Sequence, residues 1–167
     1  MPLDNARTAV VSFHVEPWSA CVEEMRGLWL EHWREVALDQ DIVPLDMDVR
    51  RYVEAEAAGR LHLVTARRDG VLIGYFVAFV QTHLHYASTI FATCDLFYLR
   101  PEFRSGWRGV TLFRVAERTL RERGAVILQA ATKVHVSPVT GRTLDIGPIL
   151  ERLGWTQSER TFRKRLV

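Results

Sequence analysis

The sequence has little cysteine, no long apolar run and no internal repeat. Its only two cysteines, Cys21 and Cys94, fit neither a disulfide framework nor a close metal-binding spacing, which favours a reducing compartment. No apolar run approaches the roughly 18 residues of a membrane-spanning helix. The first ten residues, MPLDNARTAV, lack a charged stretch followed by an apolar core. We therefore expect no membrane segment, no secretory signal and a cytoplasmic location.

The composition is that of an ordinary soluble globular protein. Hydrophobic residues make up 48% of the 167 residues and charged residues 25%, which favours one domain over residues 1–167. The net charge of +2 is unevenly placed. Residues 1–60 carry 12 acidic and 6 basic side chains, whereas residues 61–167 carry 8 acidic and 16 basic ones. One half would favour a cation and the other a polyanion, although the asymmetry is equally compatible with a surface that binds nothing.

The apolar spacing predicts ten elements in the order β-α-α-β-β-β-α-β-α-β. Steps of three and four residues mark the helices, and short apolar runs mark the strands, with a hairpin turn at Asp69-Gly70. Hairpin strands followed by a strand–helix–strand crossover predict an α/β fold, a mixed sheet with helices on its faces. Strands are predicted over residues 8–15, 61–68, 71–80, 90–99, 125–132 and part of 155–167, helices over 18–36 (one or two), 48–58, 107–123 and 144–153, and a polar connection over 81–89.

The segment PEFRSGWRGVTLF, residues 101–113, lies between the apolar run LFYL and a predicted helix. Backbone amides of a loop that opens a helix can point at an anion, and the helix adds its partial positive end. Gly106 and Gly109 would permit close approach of the backbone, and Arg104 and Arg108 would add charge. The segment is therefore a candidate anion cradle; the alternative is a glycine-containing strand–helix turn with two solvated arginines.

The segment YLRPEFRSGWRG, residues 98–109, resembles motif A of the GNAT superfamily of N-acetyltransferases. That motif is a strand, often Pro-Glu-aromatic, then Arg/Gln-x-x-Gly-x-Gly/Ala and a helix. Arg104 and Gly109 match it, whereas Trp107 stands where the middle glycine is expected. ILERLGW, residues 149–155, resembles the closing segment of the family, and the element order agrees. The chain also resembles short acetyltransferase-like proteins of phage and prophage genomes.

The resemblance implies a GNAT fold with acetyl-CoA as co-substrate. No metal is expected, because no carboxylate or cysteine lies at ligand spacing from His83 and His85. The strand before the loop would carry a bulge and diverge from the next parallel strand, and its main chain would pair with pantetheine and polarise the thioester carbonyl. The usual tyrosine acid of the closing segment is replaced by Leu150. The implied cofactor-binding residues are Phe97, Tyr98 and Leu99 of the strand and Arg104, Ser105, Gly106, Trp107, Arg108, Gly109 and Val110 of the loop.

Three residues are candidates for proton transfer from the acceptor. Asp95 interrupts an apolar strand, where a carboxylate is costly unless it is paired, and alternation predicts that it shares a face with Thr93 and Phe97. It would be the base or, alternatively, a carboxylate paired for structure. His83 and His85 share a face if the chain there is extended, and they would assist. They could instead be polar loop residues or a His-x-His metal site.

The sequence leaves two function classes open. The first is an acetyl-CoA-dependent N-acetyltransferase that moves an acetyl group directly to a primary amine. Its acceptor would be a small molecule, a protein amine or a modified base. The second is a noncatalytic CoA-binding or protein-binding regulatory module on the same scaffold, because fold does not establish function. A homodimer is left open.

Overall fold

The fold is built on one mixed sheet whose five strands lie in the order β1-β2-β3-β4-β5. The computed structural model describes residues 10–167. Neighbours from β1 to β4 are antiparallel, and β5 is parallel to β4, as the crossover predicts. The predicted α/β fold class is therefore confirmed. The strands are β1 (Val11–Val15), β2 (Leu61–Arg68), β3 (Val71–His83), β4 (Tyr86–Leu99) and β5 (Ile127–Gln129); residues 8 and 9 of the first predicted strand lie outside the described residues.

Helices cover both faces of this sheet. Tyr75 and Val77 of β3 belong to the core cluster formed with the first two helices, whereas Phe76 packs its ring against Phe113 of the third helix at 5.4 Å. Successive side chains of a strand point to opposite faces, so the helices lie on opposite sides. The helices are α1 (Trp18–Val36), α2 (Val49–Ala57), α3 (Arg108–Glu122) and α4 (Gly147–Arg152), and a 3-10 turn covers Pro101–Phe103.

The chain forms two compact units, residues 1–131 and residues 132–167. The sheet and helices α1 to α3 belong to the first unit. The second contains α4, and in it Ser137 and Arg142 are joined by a backbone hydrogen bond of 2.8 Å. A single domain over residues 1–167 stays a prediction.

Helix α1 is one continuous helix rather than two. Its buried apolar residues recur at steps of three and four, which is the spacing of one helix face. Its N-terminus is capped from α2, because the backbone N–H groups of Trp18 and Ser19 donate to the Glu56 carboxylate. The buried apolar residues of the helix are Trp18, Cys21, Met25, Leu28 and Trp29.

The hairpin between β3 and β4 is longer than the sequence predicts. The Asp69-Gly70 turn between β2 and β3 is confirmed, with both residues at positive φ. The predicted polar connection over residues 81–89 is wrong: β3 continues to His83, β4 begins at Tyr86, and only Leu84 and His85 form the turn. Polar side chains misled the prediction because both faces of the hairpin end are mostly exposed, and an exposed strand needs no apolar alternation.

The last predicted strands are not formed. Residues 155–167 have no regular secondary structure, and residues 156–167 are all exposed. This segment holds few apolar residues and no hairpin turn pair, so it has little apolar surface to bury in a ladder. Strand β5 is accordingly an edge of the sheet among the described residues. It is shorter than residues 125–132 and only half-buried, with Ile127 42% exposed, rather than the buried strand that was expected.

Gly74 sets the close approach of β3 to the end of β4. A Cβ there would lie 2.6 Å from the carbonyl oxygen of Tyr98 and 2.8 Å from Leu99 Cδ1. We expect Gly74→Ala to lower the free energy of unfolding by about 1–3 kcal/mol in urea denaturation, since overpacking displaces the backbone. The matched control is Gly27→Ala in α1, where an added Cβ meets nothing within 4 Å. That variant should be more stable by about 0.5–1 kcal/mol. Equal stability of wild type and Gly74→Ala would contradict this account.

Over residues 10–167, none of the helices combines the length and the apolar character that crossing a membrane requires.

Candidate functional site

Strand β4 carries a bulge at Asp95. Leu96 lies opposite Val77 and Cys94 lies opposite Ala78, which leaves Asp95 as the extra residue. The bulge implied by the family resemblance is therefore present. It also corrects the predicted alternation: Asp95 shares a face with Thr93, but not with Phe97, because the extra residue inverts the alternation from that point on.

The Asp95 side chain lies on the face of the sheet that α1 and α2 cover. The Tyr52 hydroxyl of α2 donates a hydrogen bond to Asp95 Oδ2, and the Tyr52 ring is stacked on Trp18 at 4.3 Å. Burial, followed by the bond to Asp95, raises the pKa of Tyr52, so this phenol stays protonated and donates. Asp95 itself is exposed, which corrects the expectation of a buried carboxylate. It is held in place by Tyr52 and open to solvent.

Strands β4 and β5 part immediately before the bulge. Their parallel ladder covers only Phe91–Thr93 and Ile127–Gln129, while β4 continues to Leu99. The Arg100 N–H donates to the Ile73 carbonyl, so alternation turns the main-chain groups of Leu96 and Tyr98 toward β3 and those of Phe97 away from it. Phe97 thus presents its N–H and C=O along an edge of β4 that no β5 residue pairs with in the described ladder. This is the divergence that the family resemblance implies.

The loop after β4 has the geometry of an anion cradle. Gly106 has a φ of +71°, which an L side chain rarely adopts, and helix α3 begins two residues later. The first intrahelical bond runs from the Thr111 N–H to the Trp107 carbonyl at 2.7 Å, so the amides of the first turn before it have no helical acceptor. No side chain caps this N-terminus. The first-turn amides without a helical acceptor are those of Arg108, Gly109 and Val110.

A shallow cleft of about 500 Å³ lies between this loop and β1, which is at the sheet edge opposite β5. Trp107 projects outward and is 74% exposed, so its side chain leaves the turn free. The Arg108 guanidinium reaches back to the carbonyl and hydroxyl of Ser105 at 3.2 and 3.3 Å. A Cβ at Gly109 would meet nothing within 4 Å of the protein. The residues lining the cleft are Val11, Phe13, Ser105, Gly106, Trp107, Arg108 and Thr111.

Arg104 has partners elsewhere in the protein. Its guanidinium binds the Glu35 carboxylate at 2.5 and 2.6 Å, and its Nε donates to the Leu99 carbonyl at 2.6 Å. Glu35 lies at the end of α1 and is only 1% exposed. Burial alone would lower the pKa of Arg104, but the bonds to Glu35 outweigh it and raise the pKa. In this structure the motif arginine binds a buried carboxylate, and the Leu99 carbonyl is occupied as well.

Aromatic and charged residues of α1 and β4 surround this ion pair. Glu31, one turn before Glu35, binds Arg100 at 2.8 Å. The His32 ring stacks on Tyr98 at 4.9 Å, and its Nδ1 lies 3.0 Å from the Tyr75 hydroxyl. Burial, together with Glu31 and Glu35, raises the pKa of Tyr98 to about 12. The phenol of Tyr98 therefore stays protonated at neutral pH, and its hydroxyl donates to the Glu31 carboxylate at 3.5 Å.

His83 and His85 lie at the tip of the β3–β4 hairpin. The His85 N–H donates to His83 Nδ1 at 3.1 Å, and the two rings are 5.2 Å apart. Ala78 is the β3 residue nearest the bulge, and His83 lies five positions further along the strand, which is roughly 15 Å. The structure brings the histidines to each other but does not bring them to Asp95. No group of three or more metal-binding side chains lies together within residues 10–167.

The sequence matches the model of the acetyltransferase (GNAT) family over residues 18–138. The match covers more than half of the chain and includes helices α1 to α3, strands β2 to β5, the bulge and the cradle loop. This chain belongs to the GNAT acetyltransferase family. A comparison with curated protein sequences gave no significant match.

Solved structures with the same fold have distant sequences. An aminoglycoside N-acetyltransferase, AAC(6')-Iy, solved in complex with CoA, is 20% identical with a TM-score of 0.66, and the match covers 96% of this chain and 97% of that one. The ribosomal-protein-alanine N-acetyltransferase of Brucella melitensis biovar Abortus 2308 is 14% identical with a TM-score of 0.65, covering 95% and 100%. At these identities the likeness establishes the fold of this chain.

Two residues of the site escaped the sequence analysis. Tyr52 and Glu35 each lie on an amphipathic helix, where a single polar or aromatic residue is unremarkable. The available signal for Glu35 was its four-residue spacing from Glu31, which mirrors the spacing of Arg100 and Arg104. That pattern does not show that the two pairs meet, because they are about 70 residues apart.

Proposed function

We propose that the protein transfers the acetyl group of acetyl-CoA directly to a primary amine. The observation that supports this most strongly is the parting of β4 from β5 beside the bulge at Asp95, followed along the chain by a glycine turn and the uncapped N-terminus of α3 at Arg108. The opening suits an extended pantetheine chain, and the helix N-terminus suits its pyrophosphate. The cofactor would be held by the main chain of Phe97, Ser105, Gly106 and residues 107–110, with Arg108 adding charge.

The chemistry uses the free edge of β4 at Phe97 and the face of β4 that carries Asp95. The amine nitrogen attacks the thioester carbonyl carbon, the C–S bond breaks, and CoA leaves as a thiolate. The Phe97 N–H would stabilise the developing oxyanion. An alkyl amine is protonated at neutral pH, so a base must first take a proton, and Asp95 is the exposed carboxylate on the α1–α2 face. Leu150 replaces the usual acid, so the thiolate would be protonated from solvent.

The acceptor is proposed to be a cationic amine that enters from the α1–α2 face. The segment that joins these helices carries four aspartates, which would favour an ammonium group over a neutral acceptor. A cytoplasmic location fits the two free cysteines. Likeness to phage proteins, a homodimer and the absence of a metal stay predictions. The aspartates are Asp39, Asp41, Asp46 and Asp48.

The test is release of CoA thiol from acetyl-CoA in the presence of a panel of amines. We expect thiol release that depends on the amine, with polyamines and aminoglycosides above neutral amines, and an acetylated product 42 Da heavier by mass spectrometry, since acetyl replaces one hydrogen. A no-amine sample controls for hydrolysis. CoA binding without turnover on any amine would favour the noncatalytic module, and no binding at millimolar CoA would overturn the proposal.

A further inference from the structure

The arginine of the cradle motif binds a carboxylate of the protein. We infer that Arg104 is a positioning residue: with Glu35 it fixes the cradle loop to the end of β4 and to α1, and it does not bind the pyrophosphate itself. This inference rests on the proposed function, because it concerns how the same cradle binds CoA.

The hydrogen bonds of Arg104 to Glu35 and Leu99 leave the arginine little freedom to bind another group. Both terminal nitrogens of Arg104 donate to the two oxygens of Glu35, and Nε donates to the Leu99 carbonyl, so three donors of the guanidinium are engaged on two different elements, α1 and β4. Glu35 is 1% exposed, so releasing Arg104 toward a phosphate would leave a buried carboxylate without a partner. Such an uncompensated charge is strongly unfavourable.

The Arg104–Glu35 ion pair lies where it can position the binding sites of both substrates. Arg104 immediately precedes Ser105 and Gly106, so its side chain anchors the start of the cradle loop. Leu99 ends the strand whose Phe97 main chain faces the thioester. Glu35 lies in the last turn of α1, one of the two helices on the face that Asp95 shares. One ion pair therefore holds together the cofactor loop, the edge of β4 and the acceptor face. The positive character of the cradle is left to the α3 amides and Arg108.

The decisive test is whether Glu35→Gln weakens or strengthens CoA binding. Glu35→Gln keeps the shape and one acceptor but removes the charge. If Arg104 positions the loop, Glu35→Gln and Arg104→Gln should each weaken CoA binding at least about 10-fold by calorimetry, and the double variant should be no worse. If Arg104 contacts the phosphates directly, Glu35→Gln frees the arginine, and CoA binding should be unchanged or tighter. That second result overturns the inference.

Arg104→Lys separates charge from geometry. It keeps the positive charge but loses the fork that joins Glu35 to Leu99. If Arg104 positions the loop, Arg104→Lys should bind CoA as weakly as Arg104→Gln does. If Arg104 contacts the phosphates directly, Arg104→Lys should keep most of the wild-type affinity. The neighbouring pair is the matched control: Arg100→Gln and Glu31→Gln break a half-exposed bridge, and each should change CoA affinity less than about 3-fold. Thermal unfolding and near-ultraviolet dichroism check that each variant is folded.

If the variants do not fold, a measurement on the wild-type protein tests the same inference. The Arg104 Nε–H resonance should remain slow to exchange and little shifted when CoA saturates the protein, because its bond to Leu99 persists. Loss or a large shift of that resonance on CoA binding overturns the inference. If wild type binds no CoA, the proposed function fails; if it binds and Glu35→Gln binds at least as tightly, only the positioning role fails.

Discussion

Asp95→Asn is expected to lower turnover about 100-fold or more while changing acetyl-CoA affinity little. Asparagine preserves the shape and can still accept the hydrogen bond of Tyr52, so the bulge and the packing of α2 are retained. What it loses is the ability to take the proton of the acceptor ammonium. The measurement is turnover against pH with the best amine of the panel, alongside calorimetry with acetyl-CoA.

The controls for Asp95 separate basicity from position. Tyr52→Phe keeps the stacking on Trp18 and Phe79 but frees the carboxylate, so it should lower turnover by a smaller factor. Glu122→Gln changes an exposed carboxylate on α3 and should leave turnover unchanged. His83→Ala, roughly 15 Å away along the strand, should also have little effect. Near-normal turnover of Asp95→Asn with an unchanged acidic limb would rule out Asp95 as the base and direct attention to the hairpin histidines.

Gly109→Asp is expected to abolish measurable CoA binding at micromolar ligand. The new carboxylate would lie on the first turn of α3, where the pyrophosphate must approach the amides, and like charges repel strongly at such distances. The fold should tolerate the change, because a Cβ there meets nothing within 4 Å and an acidic residue in a first turn favours the helix. Calorimetry with CoA, together with the melting temperature, tests both halves of this expectation.

A short series at Gly109 distinguishes charge from bulk. Gly109→Ala adds only a methyl group and should weaken binding modestly, and Gly109→Asn adds the bulk of Asp without its charge. Gly27→Asp is the control on α1, where the added side chain also has open space. A folded Gly109→Asp protein with wild-type CoA affinity would show that this loop is not the pyrophosphate site, whatever the turnover.

Much of the fold was predictable because its local signals agree with its tertiary contacts. The three- and four-residue spacing of α1 and the Asp69-Gly70 turn are strong local preferences, and both are confirmed. The motif from residues 98 to 109 predicted a strand, a glycine turn and a helix in the observed order. The failures lie where local preference is weak: the exposed end of the β3–β4 hairpin, the half-buried β5 and the charged segment after residue 155.

The sequence by itself determined the family, the position of the candidate cradle loop and the presence of a carboxylate on β4, because each depends on residues that are neighbours along the chain. Only the tertiary structure decided where those side chains go. The bulge at Asp95 inverts the alternation of β4, which turns Asp95 and not Phe97 toward α2, and a bulge arises from the register of two strands. Arg104 binds Glu35 because α1 packs against the end of β4, a contact between residues 69 positions apart that no local pattern encodes.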